Sequence, residues 1–289
     1  MSKNHSLFAE SWNIAWRRAC PGAILCDSDT VFQVVKNPIR YWAADPFIVE
    51  WEGITYVFAE LYDYILRRGI IGYCTITNNM TSKWKPVIKE KYHLSFPYIY
   101  RIGNQFYMIP ESHEAGALYR YKATSFPEQW EKDLVIRTGV NYVDTVLLSE
   151  PSPSYAISYN LTNNGNHLTL LDLLDSEHDQ SLDLPCQFLR RPAGRPLFSQ
   201  CIRVAQDCSD EYGKGLIFYQ YLLSDGQYKE KELTRKYPHS FNYSIPVYLE
   251  GIHTYNCCEH FEVIDIKTRR FNPIDFFMRC VHKIKKHLA

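Results

Sequence analysis

Apolar and polar residues alternate through most of this chain, in short runs of β-branched and aromatic residues broken by turn residues. Ala44-Asp45-Pro46-Phe47-Ile48-Val49-Glu50-Trp51 is followed by Glu52-Gly53 and then Ile54-Thr55-Tyr56-Val57-Phe58-Ala59-Glu60. A two-step period on both sides of a Glu-Gly pair predicts two antiparallel strands joined by a tight turn. The pattern returns without a gap at Phe96-Pro97-Tyr98-Ile99-Tyr100-Arg101-Ile102-Gly103-Asn104-Gln105-Phe106-Tyr107-Met108-Ile109-Pro110-Glu111. Pro46 then matches Pro97, Tyr56 matches Tyr107 and Glu60 matches Glu111. Weaker copies run from Asp144 to Tyr159, from Arg203 to Tyr219 and from His253 to Asp265.

Copies about 50 residues apart have the length of a four-stranded blade, and five of them fill the chain. The pattern therefore predicts an all-β, five-bladed β-propeller over residues 1–273. A β-sandwich with similar hairpins is the alternative. Residues 274–289 break the two-step period: Phe277, Val281, Ile284 and Leu288 recur at three- and four-residue steps, which predicts a short amphipathic C-terminal helix. Its Arg279, Lys283, Lys285 and Lys286 give it two readings, a cap on the propeller or a peripheral membrane contact.

In a propeller the innermost strand of each blade lines the axis, so aligned polar positions converge there. The first aligned slot reads Asp45, Phe96, Asp144, Ala205 and His253, with Gln206 and Asp207 flanking the fourth. The second reads Glu60, Glu111, Tyr159 and Gln220. Four carboxylates thus meet at one funnel, the residue set that glycosyl chemistry needs: one acid to protonate a leaving oxygen and one carboxylate to activate a hydroxyl or water. Arg191 and Arg203 are candidates for holding a carboxylate or phosphate, and His253 for a base or donor. Trp42 is a candidate sugar platform, and Arg68 and His93 are candidate rim ligands. Each has a bland reading too, as turn starter, core filler or solvated rim.

Composition narrows the partners. Lys plus Arg and Asp plus Glu both number 32, so the chain lacks the basic excess of a nucleic-acid groove. Aromatic residues make up 15%, 22 of them Tyr, which suits strands and sugar-stacking surfaces alike. Nine cysteines without a Cys-x-x-Cys pair predict free buried thiols and no metal ligand set. The opening Met1–Ser6 starts no signal-like apolar run, which predicts a cytoplasmic protein, at most membrane-associated.

Trp42-Ala43-Ala44-Asp45-Pro46-Phe47, Tyr92-His93-Leu94-Ser95-Phe96-Pro97, Met108-Ile109-Pro110-Glu111-Ser112, Arg191-Pro192-Ala193-Gly194, and Gln206-Asp207-Cys208 with Tyr212-Gly213 together resemble one domain. It is the propeller domain at the N-terminus of plant glucosamine inositolphosphorylceramide transferases, with relatives in bacterial polysaccharide loci and a likeness to glycoside hydrolase family 43. The resemblance implies a sugar or glycan substrate, free, nucleotide-linked or lipid-linked, and names no cofactor. In family 43 three acids serve as base, pKa modulator and acid. Asp45 matches the base, Asp144 and Glu111 are candidates for the other two, and Phe96 stands where an Asp is usual. That departure leaves glycosyl transfer, hydrolysis and non-catalytic glycan binding all open.

Overall fold

The computed structural model describes residues 7–19, 30–244 and 249–288, with 285–288 described by backbone alone. The opening Met1–Ser6, on which the expectation about export rests, lies outside the described residues, as do the side chains of Lys285, Lys286 and Leu288. Five antiparallel sheets, each one blade, follow one another along the chain. Blade one starts with Tyr41–Trp51 and Ile54–Asp63, blade two with Ser95–Ile102 and Gln105–Glu111, and blade three with Tyr142–Leu147 and Tyr155–Asn160. The tight turns carry the left-handed backbone that two-residue hairpins require: Glu52 and Gly53 have φ of 50° and 76°, and Asp225 and Gly226 have 51° and 73°.

Blades one to three share one device at the start of the innermost strand. Pairing skips from Ala44↔Glu60 to Phe47↔Phe58, from Ser95↔Glu111 to Tyr98↔Ile109, and from Val143↔Tyr159 to Val146↔Ile157. At each skip one residue takes positive φ: Asp45 (52°), Phe96 (45°) and Asp144 (52°). A bulge of this kind bends the strand and re-aims a side chain. The aligned slots are therefore equivalent in space as well as in sequence.

Blade four departs from the expected alignment. Ile202–Asp207 is its second strand, not its innermost one. The inner position is taken by the short Arg191–Ala193 segment. The Gln206 amide donates to the Arg191 carbonyl at 2.8 Å, and the Ala193 amide donates to the Val204 carbonyl at 3.0 Å. Arg191-Pro192 thus repeats Asp45-Pro46 and Phe96-Pro97. The first slot holds Arg191 in place of Ala205, and the second holds Gln206 in place of Gln220. The segment makes only isolated bridges, so it lacks the alternating run that marks a strand in sequence. Gly194 (φ 147°) is required there, since a β-carbon would come 1.9 Å from the Tyr255 carbonyl oxygen.

Blade five closes the ring with both ends of the chain. Tyr255–Cys257 and Phe261–Arg270 come from the C-terminal side, and Ala9–Arg18 pairs with Phe261–Arg270 along its whole length. The aromatic core between blades one and two includes Phe47, Phe96 and Tyr98, all fully buried. Phe96 thereby fills its slot with an edge-on contact to Phe47, ring centroids 4.8 Å apart. The seven described cysteines are free as expected, but of these just Cys74 is buried: Cys208, Cys257 and Cys258 are half-buried, and Cys186, Cys201 and Cys280 are exposed.

The helix spans Pro273–Leu288, with Asn272 as its cap: Asn272 Oδ1 accepts from the amides of Ile274 (2.9 Å) and Asp275 (3.1 Å). Among the described residues no helix is long and apolar enough to cross a membrane.

Candidate functional site

The two slots form two stacked rings on the axis. Asp45, Phe96, Asp144, Arg191 and His253 make the first. Glu60, Glu111, Tyr159, Gln206 and Asp265 make the second. Apart from Phe96 and Tyr159, every member is charged or an amide, and all the acids are at least nine-tenths buried. Buried charges require partners, and the partners divide the site into three groups.

Asp45, His253 and Asp265 form the first. Asp45 Oδ1 accepts from Thr254 Oγ1 at 2.8 Å, and Oδ2 accepts from the Phe96 amide at 3.2 Å. His253 Nε2 lies 3.5 Å from Asp45 Oδ1, while Nδ1 lies 2.6 Å from Asp265 Oδ2. Asp265 in turn accepts from the amides of Asp45 (3.0 Å), His253 (2.9 Å) and Thr254 (3.0 Å), so it is locked in place. Trp12 stacks on the imidazole, centroids 4.1 Å apart. Burial pulls His253 down, but the charges of Asp265 and Asp45 outweigh it and leave its pKa raised. Burial raises the Asp45 carboxyl, opposed by His253 and reinforced by Asp265. Among the described residues these three also bring ligand atoms within 4.8 Å of one another, close enough to hold a cation in place of these contacts.

The second group is Asp144, Arg191, Glu111, Gln206 and His113. Arg191 Nε donates to Asp144 Oδ2, and its other arm lies 3.5 Å from Glu111 Oε2. Gln206 Nε2 donates to Asp144 Oδ2 at 3.0 Å. Glu111 Oε1 pairs with His113 Nδ1 at 2.7 Å. Burial pushes both carboxyls up, but the outcome differs. The hydrogen bond from His113, with the charges of Arg191 and His113, holds Glu111 down at about 2. Asp144 rises to about 8, because burial and the Glu111 and Asp45 charges exceed the pull of Arg191.

Glu60 and His93 make the third group. The Gly69 amide donates to His93 Nδ1 at 3.0 Å, so that nitrogen carries a lone pair and a neutral ring has its proton on Nε2. Nε2 faces Glu60 Oε1 at 3.3 Å, outside hydrogen-bond geometry. Burial lowers the His93 pKa, which keeps the ring neutral. Gly69 leaves room for this contact: a β-carbon there would come 2.5 Å from Glu60 Oε1. Burial, then the charges of Asp45 and Glu111, hold the Glu60 carboxyl well above its usual range. Glu60 Oε1 and Glu111 Oε2 are buried with no hydrogen-bond partner.

This predicts a stability effect with a definite sign. A carboxyl raised in the folded state contributes stability that is fully present below its unfolded pKa. That contribution is lost as pH rises through the folded value. Glu60→Gln should match the wild type near pH 4 and exceed it in alkaline buffer. Urea unfolding at both pH values checks this, and equal midpoints at alkaline pH would show that folding does not raise the Glu60 pKa.

Of the residues expected at the site, Asp45, Glu60, His93, Glu111, Asp144, Arg191, Gln206 and His253 converge. Trp42 stacks on Tyr62 (4.8 Å, 7°), one strand step from Glu60 toward the rim. Arg68 sits at the same rim, donating to the Lys91 carbonyl at 2.9 Å. Arg203 and Asp207 do not reach the axis. Strand alternation points Gln206 inward and therefore turns both of them the other way. Arg203 is fully buried against Glu230 (2.9 Å) and Tyr228 (2.8 Å). Asp207 accepts from Tyr237 (3.1 Å) and Arg235 (3.2 Å). Sequence reasoning missed His113, Asp265 and Trp12. Two of them had a signal: His113 follows Glu111 by two residues, and Asp265 ends the fifth copy of the second strand.

A sequence model of the family described as "Glucosamine inositolphosphorylceramide transferase 1, N-terminal" matches residues 8–245. Glucosamine inositolphosphorylceramide transferase 1 of Arabidopsis thaliana is 26% identical over 276 residues, covering 89% of this chain and 34% of the relative. The protein of that name from Oryza sativa subsp. indica is 27% identical over 232 residues, covering 75% and 30%. The chain therefore spans about a third of the length of these relatives. Among solved structures, β-1,2-mannobiose phosphorylase from Listeria innocua matches with a TM-score of 0.51 at 10% identity, covering 83% of this chain and 93% of that one. At that identity the likeness speaks for the fold alone.

Proposed function

This chain belongs to the glucosamine inositolphosphorylceramide transferase 1 N-terminal family, and we propose that its funnel binds a sugar and carries out glycosyl transfer in the assembly of a glycolipid or surface polysaccharide. The observation that carries this reading is the convergence of the buried carboxyls Asp45, Glu60, Glu111 and Asp144 on one axis, with Arg191 set between Asp144 and Glu111 and their proton affinities driven in opposite directions. Carboxyls whose environments drive their proton affinities apart can take different roles in one reaction, one keeping its proton and the other staying ionised.

Asp45 is the base toward the acceptor hydroxyl. Burial makes it a stronger base than a free aspartate, and the Asp265-clamped His253 orients it. Asp144 has its proton near neutral pH and is placed to deliver it to a leaving oxygen, steadied by Arg191 and Gln206. Glu111, ionised across the working range, stabilises positive charge developing at the anomeric carbon. Neutral Glu60 and the Nε2–H of His93 supply hydrogen bonds to sugar oxygens. Arg191, expected to grip a substrate carboxylate or phosphate, is already engaged by Asp144 and Glu111.

The test is a turnover screen of nucleotide sugars with sugar acceptors, alongside simple glycosides without a nucleotide donor. Transfer from an activated donor is the expected result. Release of reducing sugar from a glycoside alone would make the protein a hydrolase. Saturable glycan binding that survives combined loss of Asp45, Glu111 and Asp144, without turnover, would make it a binding module.

A further inference from the structure

The helix Pro273–Leu288 leaves part of its apolar stripe open. Helices on globular proteins normally turn that stripe to the core. Here Phe277 is 64% and Ile284 59% exposed, and Cys280 between them is exposed as well. Elsewhere on the helix Ile274, Asp275, Met278 and Val281 are half-buried.

Its surroundings extend the apolar surface. Phe271 and Phe276 lie with ring centroids 6.1 Å apart, 49% and 40% exposed. Asn272 Nδ2 donates to the Ile39 carbonyl at 2.8 Å, which sets the helix start beside the turn carrying the exposed Ile39. The Tyr64 amide donates to the Arg40 carbonyl at 3.1 Å, which brings in the neighbouring exposed Ile65. Exposed apolar residues gathered in one region mark an interaction site.

The patch lies at one end of the propeller. The helix emerges from the end of the blade-five strand that carries Asp265. Ile39 precedes the blade-one strand that starts at Tyr41, four residues before Asp45. Ile65 lies in the turn after Glu60. All three segments belong to the end of the propeller where the axial acids sit.

We infer that this face docks on an anionic lipid bilayer, with the helix lying in the interface and the funnel opening onto the headgroup layer. Charge favours lipid over a protein partner. Residues 273–288 carry Arg279, Lys283, Lys285 and Lys286 against the one acid Asp275, and lysine is depleted in protein–protein interfaces. Phe277 and Ile284 face one way and the basic positions fall on the other side and the flanks, as in helices that bury an apolar face at the acyl boundary while cationic side chains reach the headgroups. The inference deepens the sugar-transfer reading, on which it rests only for its purpose: it lets the site act on a lipid-linked sugar.

Sedimentation with vesicles tests it without any sugar, so its failure and that of the transfer reading are separable. The full chain is expected to sediment with phosphatidylcholine vesicles containing phosphatidylglycerol, and to be released by salt. Phe277→Ser with Ile284→Ser should abolish binding. Changing Lys283, Lys285 and Lys286 to Gln should weaken it on the order of a hundredfold. Circular dichroism melts identify any variant that fails to fold, and wild-type protein competing with the isolated 273–288 peptide for vesicles provides a readout independent of the variants. Absence of wild-type binding to the anionic vesicles would overturn the inference, as would binding unchanged by the double serine variant. A concentration-dependent dimer dispersed by the serine variant, without vesicle binding, would assign the face to a second copy.

Discussion

Asp45→Asn is expected to lower turnover about a thousandfold, the range seen when a general base is removed, while the protein stays folded. The backbone favours this substitution as a clean test. Asp45 has φ of 52°, a left-handed conformation that asparagine tolerates as well as aspartate does. The amide oxygen can still accept the Thr254 hydroxyl, whereas the amide nitrogen meets the Phe96 amide donor in place of an acceptor. One mismatched buried hydrogen bond costs about 1–3 kcal/mol, well short of unfolding most domains of this size. A fall in kcat with little change in donor affinity would assign Asp45 to chemistry. Full activity in Asp45→Asn would move the base elsewhere.

Arg203→Met is expected to act on stability instead, lowering it by about 3–5 kcal/mol. The side chain is fully buried between Glu230, Tyr228 and the Arg190 carbonyl, and its removal leaves Glu230 buried with Arg190 as its remaining charged partner. The guanidinium pairing is what holds Glu230 below its usual range despite burial. Replacing Glu230 by Leu in the same chain should recover much of the loss, because a buried ion pair replaced as a unit by apolar side chains is often close to neutral. Denaturant unfolding of the single and double variants measures both effects. Glycan binding per folded molecule should be unchanged. Normal stability with lost binding would return Arg203 to the site, where its type alone had placed it.

Arg203 and Arg191 show what a sequence can and cannot convey here. Both are arginines in the same stretch, and both qualify chemically for an anion. Only one faces the axis, and the choice depends on which strand each occupies. Arg191 lies on an inner segment too short and irregular to show alternation, with Pro192 and Gly194 interrupting it. The misaligned fourth copy follows from the same cause. Blades one and two, by contrast, align residue for residue because each slot is marked twice, by the proline after it and by the glutamate at the end of the next strand.

The sequence by itself determined the five-fold repeat, the hairpin turns, the C-terminal helix and most of the axial residues. Those features arise from local periodicity and turn chemistry, which are written into neighbouring positions. Only the tertiary structure decided the closure of blade five by Ala9–Arg18, the clamp of Asp265 and Trp12 on His253, and the opposed proton affinities of Glu111 and Asp144. It also decided that Phe277 and Ile284 on the helix stay exposed. Each of these depends on groups far apart in the chain meeting at ångström distances in a buried place. There charge, desolvation and partner geometry together set the energy, and no local pattern encodes them.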